Sequence, residues 1–277
     1  MNPDQYCRHK AVASGSSFYY AFLFLPPERR RAITALYAFC REVDDIVDDG
    51  LEPQLAAAKL DWWRAEIGNL CAGRPQHPVT RALQPAVARY GITAEQLHEI
   101  IAGMAMDLSQ TRYLDFAALE RYCYLVAGVV GVLAAGIFGH REPRTLEYAR
   151  TLGIAFQLTN IIRDVGEDAR KGRIYLPLED LRCFGVSAND LLQARASESF
   201  RRLMEFQARR AESYYERAYA LLPAADRRAQ RPGLIMAAIY RALLAEIERD
   251  GYRVLTHRTA LTPLRKFWIA WRTWVLA

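Results

Sequence analysis

The 277-residue chain is poor in the features that mark specialised protein classes. It has five cysteines (Cys7, Cys40, Cys71, Cys123 and Cys183), an odd number, widely spaced and with no CxxC pair. That pattern argues against a disulfide framework or a zinc ribbon and fits a reducing compartment. The five histidines include no pair at metal-ligand spacing, and no Ser–His–Asp or Cys–His constellation is evident. No GxGxxG follows a strand-like run, and no stretch alternates β-branched with polar residues. No linker rich in Gly, Ser or Pro divides the chain, no fixed-period repeat is visible, and no segment is of low complexity. The opening MNPDQYCRHK lacks a charged-then-apolar signal pattern. The longest apolar run, Cys123 to Gly139, carries four glycines and falls about one turn short of the roughly 20 residues that span a bilayer. It reads as a buried helix.

What remains is an ordinary globular composition, 52% hydrophobic and 25% charged. Lys plus Arg number 37 against 31 Asp plus Glu, a formal charge of +6, which favours anionic partners. Between sparse prolines the apolar residues repeat at three and four, as at Ile33, Leu36, Tyr37, Cys40 and Val43, in stretches filled with helix formers. The expectation is an all-α, single-domain bundle over residues 1–277 with roughly eight to eleven helices. The spans are Glu28–Asp49, Leu55–Ala72, Val79–Tyr90, Ala94–Gln110, Ala117–Phe138, Arg144–Asp168, Ser187–Leu222, Gly233–Arg253 and Pro263–Val275.

Two acidic stripes carry chemistry. In YAFCREVDDIVDD (Tyr37 to Asp49), Asp44 and Asp48 share one helix face, as do Asp45 and Asp49. Like charges at that spacing repel by some tenths of a kcal/mol. No base follows at i+4 to relieve them, and a divalent cation would. Tyr37 and Arg41 lie on the stripe of Asp44 and Asp48. In the second segment Gln157, Asn160, Asp164 and Asp168 occupy an arc of about 80° on a helix otherwise rich in Phe, Leu, Ile and Val. Buried amides and carboxylates need partners. If the two helices face each other, four or more carboxylates converge. Such oxygen ligands suit Mg²⁺, which commonly bridges to substrate phosphates. The neighbouring Arg41, Arg163, Arg170, Lys171 and Arg173 suit the phosphates themselves, so the pattern points to a diphosphate site. A single DxxxD is more often a solvated face; two such stripes flanked by arginine in apolar helices are not.

These segments resemble the squalene and phytoene synthases. FYYAF, LPPERR and YAFCREVDDIVDD look like the family's first signature, QLTNIIRDVGEDARKGRIYLP (Gln157 to Pro177) like its second, and YCYLVAGVVG from Tyr122 like its YCxxVAGxVG segment. The likeness covers nearly the whole chain except about the last 20 residues. It implies a terpenoid synthase bundle around a central cavity and Mg²⁺-dependent head-to-head condensation of two prenyl diphosphates. By motif position, Asp44, Asp48, Asn160, Asp164 and Asp168 would hold metal. Arg41, Arg163 and Arg173 would contact diphosphate oxygens, with Gln157 nearby, and Tyr122 and Tyr240 would approach the reacting end. Some relatives have basic residues where this chain has Ser14 to Ser17, so Ser17, beside Phe18, would bind substrate through hydroxyl and amide groups. Within the family, SGSSFYYAFLFLPPERRRAITALYAFCREVDDIVDD most resembles bacterial presqualene diphosphate synthases of the hopanoid squalene route. The expected product is therefore presqualene diphosphate from two farnesyl diphosphates, without NADPH. Phytoene or dehydrosqualene synthesis is the alternative reading. A non-catalytic helical assembly or lipid-binding factor is a third, and it would expect eroded aspartates.

Phe18, Tyr20, Phe22, Tyr37, Tyr122 and Tyr240 are candidate cavity aromatics, since ring faces stabilise cations. Gly128, Gly131, Gly136 and Gly139 either admit prenyl chains or permit close helix packing. At the C-terminus Trp268, Trp271 and Trp274 recur every three residues beside Arg265, Lys266 and Arg272, the pattern of an interfacial helix. The expectation is a cytoplasmic enzyme touching the inner membrane face through residues 262–277, with no nucleic-acid partner: a nucleic-acid binder would not need buried acidic stripes, which repel phosphates without metal.

Overall fold

The structure, a computed structural model, describes residues 1–13, 18–48 and 50–276, without the side chains at 19 and 20. Its elements are α1 (Pro3–Ala13), α2 (Phe18–Phe22), α3 (Pro27–Asp48), α4 (Pro53–Cys71), α5 (Pro78–Tyr90), α6 (Ala94–Met106), α7 (Phe116–Cys123), α8 (Val129–Phe138), α9 (Arg144–Arg170), α10 (Leu178–Cys183), α11 (Ala188–Leu192), α12 (Glu198–Leu221), α13 (Arg231–Arg249) and α14 (Pro263–Leu276). Among the described residues there is no strand, only an isolated bridge between Arg112 and Ile174.

The punctuation read from the sequence has local causes here. Pro27, Pro53, Pro78 and Pro263 each open a helix, where the missing N–H costs nothing and φ is preset. Thr93 and Gln96 form a capping box at the start of α6. The single helix expected over Ser187–Leu222 is two: Ala194 turns to φ +50, and Ser197 restarts the helix by accepting the Phe200 N–H. The helix expected to reach Gln110 ends at Met106, leaving Asp107 in the following turn. The short α1, α2 and α10 fall outside the expected spans; none is long enough to show a clear period.

One connected hydrophobic cluster runs from Cys7 to Ala270. At its centre lies α9, packed on α8, α12 and α13. The helix from Phe116 to Phe138 is long and apolar enough to cross a membrane, but it runs inside the bundle, and a π-helical turn at Tyr124–Gly128 separates α7 from α8. It crosses α9 where a Cβ on Gly131 would lie 2.3 Å from the Ala149 carbonyl and one on Gly153 2.3 Å from the Ala127 carbonyl. At this crossing Gly131 serves close helix packing, one of the two roles considered for it.

Candidate active site

α3 and α9 stand on opposite sides of a cavity. Its walls include Phe18, Phe22, Tyr37 and Cys40 on one side and Tyr148, Leu152, Phe156 and Gln157 on the other. The π-helical turn and α8 add Val126, Val130 and Ala134, while Pro232, Gly233 and Met236 come from α13. Along α9 the lining runs from Tyr148 to Asn160, about 18 Å at 1.5 Å per residue. Most of the wall is apolar; Arg41, Asp44, Gln157 and Asn160 make one end polar. π-helical turns are rare and frequently occur at functional sites, and this one places Val126 and Ala127 on the cavity wall.

The two acidic stripes meet at that polar end. Arg173, just beyond α9, donates to Asp48 Oδ1 at 2.8 Å and to the Val47 carbonyl at 2.7 Å, and Lys171 Nζ lies 3.6 Å from the same carboxylate. Burial, with Asp48 and Asp45 adding and Arg41 opposing, raises the Asp44 carboxyl to about 6. Burial beside Asp164 and Asp48 raises Asp168 to about 7. Arg41 binds Asp44 at 2.6 Å and also Asp45. Asp164 is the exception. Burial would raise it, but Arg163 donates through Nε at 2.8 Å and Arg258 through Nε at 2.9 Å, so its carboxyl is held below the usual range. Lys266 on α14 is also close, its ammonium pushed down by burial and by Arg163 and Arg258.

Aromatic side chains line the interior. The Phe18 and Tyr37 rings lie 5.6 Å apart, and Tyr240 packs on Phe156 at 4.9 Å, within electrostatic reach of Arg163 and Tyr37. Tyr122 lines the cavity and donates to Asp107 Oδ2 at 2.8 Å; Tyr175 donates to Oδ1 at 2.7 Å. Burial raises the Asp107 carboxyl against the opposing effect of both tyrosine hydroxyls and Arg173.

Asp44, Asp48, Asn160, Asp164, Asp168, Arg41, Arg163, Arg173, Gln157, Phe18, Tyr37, Tyr122 and Tyr240 are thus gathered in or around this region. Ser17, with Ser14, Gly15 and Ser16, lies outside the described residues, as do Asp49 and the Tyr20 side chain. Arg170, read beside the stripes, turns elsewhere and donates to the Leu255 carbonyl at 3.3 Å. Asp45, a member of the first stripe, is shared between Arg41 and Lys10 of α1, the latter at 2.8 Å. Asp107 and Arg258 were not anticipated. Asp107 is a lone acid after an apolar helix, and Arg258 sits in the poorly matched tail. It is brought to Asp164 because Gly166 lets the Val254–Leu255 backbone touch α9, with the Gly166 N–H donating to the Val254 carbonyl at 3.2 Å.

The donors suit a hard divalent cation. The Asn160 Oδ1 is buried without a hydrogen-bond partner, an arrangement that costs free energy unless something completes it. Asp44 and Asp168 are crowded by other carboxylates. Among the described residues no three acidic, histidine or cysteine side chains stand within reach of one ion; Asp48 and Asp164 are each turned to a guanidinium.

The squalene/phytoene synthase family model matches residues 11–265. A phytoene synthase of Arthrospira platensis is 37% identical over 273 residues, 94% of this chain and 88% of its own length. Among solved structures, a dehydrosqualene synthase bound to a ligand superposes with a TM-score of 0.87 at 30% identity, over 99% of this chain and 96% of its own. The squalene synthase HpnC of Alicyclobacillus acidocaldarius gives 0.80 at 30% identity, over 90% and 94% respectively. The helical bundle is that of the terpenoid synthases.

Proposed function

We propose, from the premise that this chain belongs to the squalene/phytoene synthase family, that it joins two prenyl diphosphates head to head in a phytoene-synthase-type reaction. The observation that carries this is an apolar cavity, about 18 Å long along α9, with acids and guanidiniums from two distant helices at one end. Such a cavity takes a chain of three or four isoprene units with its diphosphate at the polar end.

Arg41, Arg163, Arg173 and Arg258, each now on a carboxylate, would donate to diphosphate oxygens in exchange. Asp44, Asp48, Asn160, Asp164 and Asp168 would hold Mg²⁺, which supplies positive charge to the leaving diphosphate. The allylic C–O bond of one substrate breaks, and its electron pair leaves with the diphosphate, whose charge the arginines take up. The double bond of the second substrate attacks the allylic cation, and loss of a proton closes a cyclopropane that still carries the second diphosphate. For the phytoene-type product that diphosphate leaves in turn, the ring rearranges and opens, and loss of a second proton gives the hydrocarbon without a reductant. Phe18, Phe22, Tyr37 and Phe156 line the cavity, where they would keep water from the cation and offer it their aromatic rings. Tyr122 lies on the wall and donates its O–H to Asp107, so a proton taken at its oxygen would be matched by passing its own to the Asp107 carboxylate.

The A. platensis relative supports phytoene, formed from two geranylgeranyl diphosphates, better than the presqualene diphosphate expected from the sequence. The second reading, farnesyl diphosphates stopping at presqualene diphosphate, is favoured by the segment from Ser14 to Asp49 and by the likeness to HpnC. Incubation with each prenyl diphosphate plus Mg²⁺, followed by phosphatase treatment and mass spectrometry, separates them. A C40 hydrocarbon from the C20 substrate supports the first, and presqualene alcohol from the C15 substrate the second. Asp44→Ala and Asp164→Ala should each lower turnover by at least about 10²-fold with helicity intact. Full turnover in both variants would remove the proposed roles.

A further inference from the structure

The outward face of α14 takes no part in that chemistry. Its inner side is packed: Ala270 is fully buried, and Trp274 stacks on Phe24 at 5.0 Å and lies under the Arg231 guanidinium. On the other side Leu264, Phe267, Trp268, Trp271 and Val275 are all exposed. They follow i, i+3, i+4, i+7 and i+11, so they share an arc of about 100°. The Trp268 and Trp271 rings are 5.2 Å apart, which makes the patch continuous. Arg265 and Arg272 edge it, and α14 contains no acidic residue. Large apolar side chains gathered on a surface and left exposed among the described residues mark a contact site.

We propose that this face docks into the interfacial layer of a lipid bilayer bearing anionic headgroups. Indole rings favour the boundary between acyl chains and headgroups, and the charge that α14 itself carries beside them is positive, complementary to phosphate. A second copy fits less well, because a twofold contact through this face would bring its arginines toward each other. Arg265 is partly satisfied by Glu246 at 2.7 Å, so the exposed Arg272 carries most of the electrostatic attraction. Docking also has a consequence that rests on the proposed reaction. Phe24 follows α2, whose Phe18 and Phe22 line the cavity, so the bilayer would lie beside a cavity wall, where lipophilic substrates and products can pass.

Vesicle flotation of the full chain tests this independently of any activity. The chain should float with vesicles of equal parts phosphatidylcholine and phosphatidylglycerol, with a blue shift of its tryptophan emission, and much less with phosphatidylcholine alone. Trp268→Ser with Trp271→Ser should reduce flotation at least tenfold while leaving the melting temperature unchanged, since both rings are exposed. The milder Arg272→Gln should reduce it about fivefold. The proposal is overturned by a wild-type chain that stays in the aqueous phase, or by variants that float as it does. It is overturned equally by a dimer that the tryptophan substitutions dissociate, which would make a second copy the occupant.

Discussion

Replacing Asp168 by Asn should stabilise the metal-free protein above neutral pH while abolishing its activity. Asp168 has a carboxyl raised from 3.8 to about 7 by burial and by neighbouring carboxylates. Below about pH 4 the group is protonated in both folded and unfolded chains, and it imposes no penalty. Between about pH 4 and pH 7 the unfolded chain ionises freely while the folded chain still holds its proton, so stability is lost over that window and levels off above it. The full displacement corresponds to an upper limit of about 4 kcal/mol. The side chain is only half-buried, and solvent screening brings this to about 1.5 kcal/mol. That is roughly 3–6 °C in melting temperature for a chain of this size class. The assay is thermal unfolding in EDTA at pH 5 and pH 8. Asp168→Asn should melt higher than wild type at pH 8, with most of the gain gone at pH 5. Adding Mg²⁺ should then raise the melting temperature of wild type more than that of the variant, because a ligand stabilises only the state that binds it. A gain equal at both pH values, or a variant less stable at pH 8, would refute the assignment of strain to this carboxylate.

Other outcomes follow from named contacts. Asp107→Asn removes the charged acceptor of the Tyr122 and Tyr175 hydroxyls. It should lower kcat by about 10²-fold with a smaller change in KM, and Asp107→Glu should recover part of it; unchanged kcat would show the network to be structural only. Arg258→Gln frees Asp164 from one of its two bases and should raise KM for prenyl diphosphate several-fold with little loss of stability, as measured by steady-state kinetics and thermal unfolding. Gly153→Ala would press a Cβ to 2.3 Å from the Ala127 carbonyl, and it should cost about 1–3 kcal/mol in a denaturant titration. A neutral result there would mean the two helices can separate freely.

Residues whose partners lie within one or two helical turns were legible in advance. The spacing of Asp44 to Asp48 and of Gln157 through Asp168 placed each set on one face, and the family signatures linked the two faces across 120 residues. Helix ends were legible where a proline or a capping residue decided them. The break before α12 was not, because Gln193 to Ala196 are compatible with a continuing helix and the positive φ of Ala194 is a tertiary outcome. The product remained open as well, because relatives making different products share both acidic motifs.

Periodicity alone determined that the chain is helical and that its acids lie in two stripes, since these depend on neighbours three and four residues apart; the resemblance of its long motifs to the family's signatures indicated which family it joins. Only the tertiary structure decided that Asp107 anchors Tyr122, that Arg258 reaches Asp164, that Asp45 also pairs with Lys10, and that Arg170 reaches the Leu255 carbonyl. It also decided which side of α14 is left exposed. Those pairings join residues 15 to 94 positions apart. Their existence depends on how the helices pack, and for Arg258 and Arg170 on Gly166 letting the Val254–Leu255 backbone close on α9, a property of the packed bundle that no local pattern encodes.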